Sequence, residues 1–97
     1  MTSTTAQPLA GAEPAAHPTV TLRYFAAAQE AAGMEQEQLP LRGHTLGEVL
    51  GDAGRRHPAL VAILPACSYL VDRISAGPVS PVGEGCVVDV LPPFAGG

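Results

Sequence analysis

A chain of 97 residues supplies one domain and not two. Only 14% of its residues are charged and its large aliphatics are plentiful from Val20 onward, so a core can form. The net charge of −4, with five arginines and no lysine, argues against nucleic acid, which selects a basic stripe, and excludes a lysine-bearing phosphate loop or a Schiff base.

Residues 1–18, rich in Thr, Ala and Pro, lack the basic start and apolar block of a signal peptide and are expected to be a disordered extension. No apolar run approaches the ~20 residues that span a bilayer. Thr19 to Phe25 alternates, with Val20, Leu22 and Tyr24 on one side and Thr19, Thr21 and Arg23 on the other, which predicts a half-buried strand. Ala26 to Ala32 predicts a short helical turn stopped by Gly33. A second strand from Met34 places Leu39 and Leu41 on one face, and Pro40 between them assigns it to a sheet edge.

Thr45-Leu46-Gly47-Glu48 is a capping box. The helix it opens carries Leu46, Val49, Leu50 and Ala53 as an apolar stripe. Gly47, Gly51 and Gly54 each cost up to about 1 kcal/mol in helix propensity, so packing on a sheet must hold this helix. Arg55, Arg56 and His57 complement its C-terminal dipole and Pro58 ends it. Ala59 to Pro65 reads as a packed connection, Ser68 to Asp72 as a third strand, and Ile74 to Val82 as room for one very short strand. After the Gly83-Glu84-Gly85 turn, Cys86 to Leu91 forms the last strand, with Val88 and Val90 on one face.

One helix on one face of such a sheet is an α+β layout. With the first and last strands side by side and parallel at the centre, the sheet of four to five strands is a β-grasp, ubiquitin-like, spanning residues 19–91. The tail, residues 92–97, leaves from the central strand. Pro92 and Pro93 lock φ and remove two donors, which favours an extended exit. From Leu91 to Gly97 the reach is at most roughly 20 Å, long enough to carry a carboxylate into another protein's active site. Ala95, Gly96 and Gly97 make a tip thin enough for a narrow channel, and Gly96 lets the backbone take whatever φ the channel demands. Phe94 has two readings: it folds back on its own domain, or it anchors in a partner's pocket, with Leu91, Pro92, Pro93 and Ala95 making up the rest of the partner-binding tail.

Nothing else in the chain has the pattern of a site. His17, His44 and His57 match no metal spacing and read as surface histidines. Cys67 and Cys86 read as structural thiols at opposite ends of antiparallel strands, in keeping with a reducing cytoplasm. Tyr24, Phe25 and Tyr69 read mostly as core.

Val20-Thr-Leu-Arg-Tyr-Phe-Ala26, then Glu30-Ala-Ala-Gly33, then Cys86-Val-Val-Asp-Val-Leu-Pro-Pro-Phe-Ala-Gly-Gly97 together resemble the small subunit of molybdopterin synthase, the MoaD family of ubiquitin-like sulfur carriers. The resemblance covers residues 19 to 97. It implies a chain that is not catalytic alone. An ATP-dependent, ubiquitin-activating-like adenylyltransferase (MoeB-like) adenylates Gly97, sulfur displaces AMP, and the resulting C-terminal thiocarboxylate (1-thioglycine) enters the large synthase subunit (MoaE-like). There it donates sulfur to cyclic pyranopterin monophosphate in molybdenum cofactor biosynthesis. No cofactor or metal binds this chain itself on that reading, and the implied assembly is a heterotetramer on a large-subunit dimer. Gly97 and Gly96 are then the catalytic positions. Departures from the family pattern are the long N-terminal extension and Val71-Asp72-Arg73, where Val-Asn is expected. The rival readings are carriers of the same fold for thiamin or cysteine synthesis, and a ubiquitin-like interaction module that is never thiocarboxylated.

Overall fold

The computed structural model describes residues 18–93. The elements run β1 (Thr19–Tyr24), α1 (Ala27–Ala32), β2 (Gln36–Pro40), α2 (Leu46–Arg56), α3 (Pro58–Val61), a 3-10 turn (Leu64–Ala66), β3 (Ser68–Val71), β4 (Ile74–Ala76) and β5 (Val87–Leu91). The expected disordered extension lies outside the described residues apart from Pro18.

The five strands form one sheet in the order β2-β1-β5-β3-β4. β1 and β5 run parallel, with Leu22 opposite Val88 and Tyr24 opposite Val90. The other neighbours are antiparallel. This is the β-grasp arrangement, and Pro40 sits on an edge strand, where its missing N–H costs no ladder bond. Alternation along β1 decides the core: Val20, Leu22 and Tyr24 are buried, and they join Leu39, Val88 and Val90 under the apolar stripe of α2.

α2 begins as its sequence requires. The Thr45 hydroxyl accepts from the Glu48 N–H, and the Glu48 carboxylate accepts from the Thr45 N–H at 3.1 Å and the His44 N–H at 2.7 Å. Two of its glycines are explained by close approach. A Cβ on Gly47 would stand 3.1 Å from the Pro78 carbonyl oxygen, and one on Gly54 would stand 3.2 Å from Val61 Cγ2. The helix gives up propensity at these points so that the 77–82 loop and α3 can lie against it.

The structure amends the sequence reading in three places. The connection after Pro58 is a short helix followed by a 3-10 turn, because a proline that stops one helix is also suited to the first position of the next. The helical turn expected from Ala26 begins at Ala27, since Ala26 lies at φ 50°, ψ −125°. His57 is not a surface histidine: it caps α2 and its ring is largely shielded beneath the sheet edge.

Candidate functional site

The tail root is held from both sides. On the β1 side the ladder continues one residue past the strand, with the Phe25 N–H donating to the Val90 carbonyl at 3.3 Å. On the other side Ser68 pairs with Leu91. Leu91 is half-buried, Pro92 is buried and Pro93 is exposed. Among the expected partner-binding residues, Pro92 therefore packs into its own domain, and its stiff ring fixes the direction in which the chain leaves. Phe94, Ala95, Gly96 and Gly97 lie outside the described residues.

Beside this root is an apolar cleft of about 250 Å³, lined by Ala26, Ala27, Ala62, Ile63, Ala66, Pro92 and Pro93. Ala26 forms one wall in a backbone conformation that L-residues avoid, with φ 50° and ψ −125°. The local turn holds it there, the Ala28 N–H donating to the Phe25 carbonyl at 2.9 Å. Such a conformation costs on the order of 1–3 kcal/mol in a residue with a Cβ. No sequence pattern marked it, because alanine carries no turn signature.

The sheet face away from the helices carries an ion pair close to the root. Arg23 Nε lies 3.3 Å from Asp89 Oδ1, and the Arg23 guanidinium stands over the Phe25 ring at 5.3 Å. The ion-pair contact does not have hydrogen-bond alignment, so Asp89 Oδ1 is shielded from solvent without a hydrogen-bond partner. Phe25, expected mostly in the core, is half-buried and extends this face. Tyr69, also expected in the core, is half-buried and its hydroxyl donates to the Leu64 carbonyl; burial pushes its pKa up to about 12.

On the opposite side of β1 lies a polar cluster that no sequence motif announced. The Tyr24 hydroxyl donates to Glu37 Oε2 at 2.6 Å, and His57 Nε2 meets the same oxygen at 2.6 Å. The rings of Tyr24 and His57 meet edge to face, with centroids 6.1 Å apart. Desolvation first, then the hydrogen bond to Glu37, hold the Tyr24 hydroxyl far above its usual range, so it stays a donor. Glu37 alternates with Leu39 on the core side of β2, and that periodicity was the available clue. The cluster ties the edge strand to the end of α2.

The cysteines are free and play packing parts. Cys67 Sγ donates to the Ile63 carbonyl at 3.3 Å, burial pushes its thiol up, and Cys86 Sγ accepts from the Gly83 N–H at 3.4 Å. Ser68 pairs with Leu91 while Val71 pairs with Val88, which places the two thiols at opposite ends of the strand pair. Asp72 and Arg73, the point of departure from the family pattern, make a tight turn with φ 49° and 70°. Asp72 Oδ1 accepts from the Val87 N–H at 2.8 Å, so the unusual turn is pinned to the base of β5. Among the described residues no three metal-ligating side chains converge, and no helix is long and apolar enough to cross a membrane.

Comparison with known proteins gives a consistent result. A family model described as the ThiS family matches residues 22–97. Among solved structures, small archaeal modifier protein 1 of Haloferax volcanii superposes with a TM-score of 0.73 at 21% identity, over 78% of this chain and 98% of that one. A Pyrococcus furiosus protein assigned as molybdopterin converting factor, subunit 1, gives 0.72 at 21% identity, over 78% and 98%. Small archaeal modifier protein 1 of Methanosarcina acetivorans gives 0.72 at 21%, over 84% and 98%. At that identity the superpositions speak for the fold. Comparison with curated proteins gives no match.

Proposed function

The chain belongs to the ThiS family of ubiquitin-like sulfur carriers, and from that premise we propose that it is the sulfur-donating subunit of a molybdopterin synthase. The observation that carries the reading is that the family match runs through Gly97 and includes the whole Pro92-Pro93-Phe94-Ala95-Gly96-Gly97 segment. The Tyr24-Phe25-Ala26 and Glu30…Gly33 residues and the Pro92-Pro93-Phe94 run support the pterin pathway over others.

On this reading Gly97 supplies the reacting carboxylate. A carboxylate is a poor electrophile, so its oxygen first attacks the α-phosphorus of ATP on an adenylyltransferase, and pyrophosphate leaves. A sulfide-level sulfur then attacks the acyl carbon and AMP leaves; a C–O bond is exchanged for a C–S bond and no electrons change hands. The large subunit receives the tail. The thiocarboxylate sulfur attacks a carbon of cyclic pyranopterin monophosphate, and a C–O bond of that precursor breaks as the C–S bond forms, with the oxygen as leaving group. Water then cleaves the acyl–sulfur bond to restore the carboxylate. This chain's part is to present the group without obstruction: Gly96 and Gly97 place no side chain near the acyl carbon, and the pocket and any proton transfer belong to the partners. We place these steps in the cytoplasm, in an assembly of two small subunits on a large-subunit dimer.

A second reading, a carrier serving thiamin or cysteine synthesis, shares every step up to the thiocarboxylate and the same family match. The test is the intact mass of the protein after incubation with ATP, an adenylyltransferase and a sulfur source, followed by reconstitution with the large subunit. We expect an oxygen-to-sulfur increment on the C-terminal peptide and conversion of the pterin precursor. A carboxylate mass that never changes would leave an interaction module. Thiocarboxylation without pterin conversion would move the assignment to a sister pathway.

A further inference from the structure

We propose that the outward face of α2, with the apolar groove between α2 and α3, pairs with the same face of a second copy of this chain in the free protein, about a two-fold axis close to Gly51. Seven residues make nearly two helical turns, so Glu48 and Arg55 stand on one side of α2, about 10.5 Å apart along its axis, with Gly51 between them. All three are exposed. The face therefore has an acid at its N-terminal end, a guanidinium at its C-terminal end and no side chain in the middle. Such a pattern complements itself when a second copy runs antiparallel to the first, because each Glu48 then faces the Arg55 of the other copy. Both charges are open to this use. The capping bonds end on Glu48 Oε1, and Oε2 takes none of them. Asp52 is shared between Arg55 at 3.4 Å and Arg56 at 3.3 Å, so one carboxylate leaves a net positive charge there, and the Arg55 side chain is 71% exposed.

Gly51 provides a separate argument. Gly47 and Gly54 are explained by close approaches within the chain, but a Cβ on Gly51 would meet only Arg55 Nη1, at an ordinary 3.7 Å. Alanine there would recover up to about 1 kcal/mol of helix propensity. The fold itself does not need the gap, and a bare helix surface lets a second helix come to the near end of the usual 8–10 Å between axes, flagged as an approximate range. Beside Gly51 lies the groove, about 270 Å³, walled by Leu50, Val61 and Leu64, with Gly54 adding no side chain. Val61 is 57% exposed, and the pairing covers it. The contact is two helical turns and a short groove, so the association is weak and reversible. It uses the helix layer only. Arg23 and Asp89 lie on the other side of the sheet, so a paired carrier presents two outer sheet faces at once.

The test is sedimentation equilibrium of the free full-length protein. It needs no sulfur chemistry, so its failure leaves the sulfur-donor reading standing. The weight-average mass is expected to climb from one chain toward two as the concentration rises from about 10 µM to about 1 mM, the range of a small transient contact. Gly51→Leu fills the gap at an exposed position and holds the mass at one chain throughout. Arg55→Glu sets acid against acid at both contacts and weakens the pairing about tenfold or more. Glu48→Arg sets base against base with the same result. An equimolar mixture of these two variants pairs again, since each acid then meets a base. Circular dichroism checks that α2 survives the loss of the Glu48 cap, and if it does not, Gly51→Leu and Arg55→Glu decide the matter. A wild type that stays one chain at every concentration overturns the proposal. So does an association that Gly51→Leu and Arg55→Glu leave unchanged, since another face would then carry it.

Discussion

Arg23 and Tyr24 are neighbours in β1 and serve opposite faces of the sheet, and the contrast between their surroundings separates structure from function in this molecule. Tyr24 points under the helices into a closed cluster, where one oxygen of Glu37 takes both its hydroxyl and the His57 ring. Arg23 points outward to a carboxylate with one shielded oxygen that has no hydrogen-bond partner, on the face beside the tail root. The closed side has the acid, the histidine and the phenol that a search for a catalytic site would select. Among the described residues the cleft at the tail root is lined by alanine, proline and Ile63, none of them titratable. In a carrier the reactive group is the cargo attachment point, and the domain needs only to hold it out.

The largest expected effect falls on the tail. Deleting Gly97, or adding one residue after it, reduces sulfur donation in a reconstituted assay to background while the melting temperature stays that of the wild type. Survival of pterin conversion in either variant refutes the mechanism. The next effect falls on the closed cluster. Glu37→Ala strands a buried phenol and an imidazole and costs about 1–3 kcal/mol, with roughly 4–8 °C of melting temperature lost for each kcal/mol. Sulfur donation per folded molecule is expected to be unchanged, and a loss of transfer out of proportion to unfolding would promote the cluster to a functional role.

Ala26→Gly sharpens the comparison from the tail side. Relief of the positive-φ strain, partly offset by the flexibility glycine gains in the unfolded chain, is expected to raise stability by up to about 1 kcal/mol in denaturant unfolding. A destabilisation would show that the methyl contact outweighs the strain.

The smallest effects are on the pH limbs. Backbone N–H donation from His44, then Thr45, holds Glu48 below its ordinary 4.5, so its capping contribution is complete above that pH and fades as the pH falls further. Glu48→Gln should flatten that acid limb, and Thr45→Ala should cost about 0.5–2 kcal/mol at neutral pH. At the alkaline end Tyr69 is protonated in the fold up to about 12, against 10.0 in the unfolded chain, so its contribution is intact below 10 and is lost as the pH rises through 12. Urea midpoints measured across both ranges check these signs.

Much of this was legible in the residues because it depends on local rules. Alternation along β1 named Val20, Leu22 and Tyr24 as core, Pro40 put β2 at an edge, and the capping box fixed the start of α2. What escaped depends on contacts between distant residues or on a dihedral angle. Glu37 and His57 lie twenty residues apart and meet because the edge strand passes over the end of α2. Pro58 reads as a stop, and only the space beside Gly54 shows why a second helix begins there. At the root of the tail the structure adds the anchorage, with Pro92 turned into the domain.

The parallel pairing of β1 with β5 sets an order of events. Thr21 lies opposite Val87, sixty-six positions along the chain by subtraction, so the central ladder is among the most non-local contacts the fold makes. Closing such a ladder is slow compared with forming α2, and it cannot begin until Val87–Leu91 has emerged. A fragment that stops short of β5 lacks the middle of its sheet and has no core to close. Every molecule that has folded therefore contains the strand from which the tail departs.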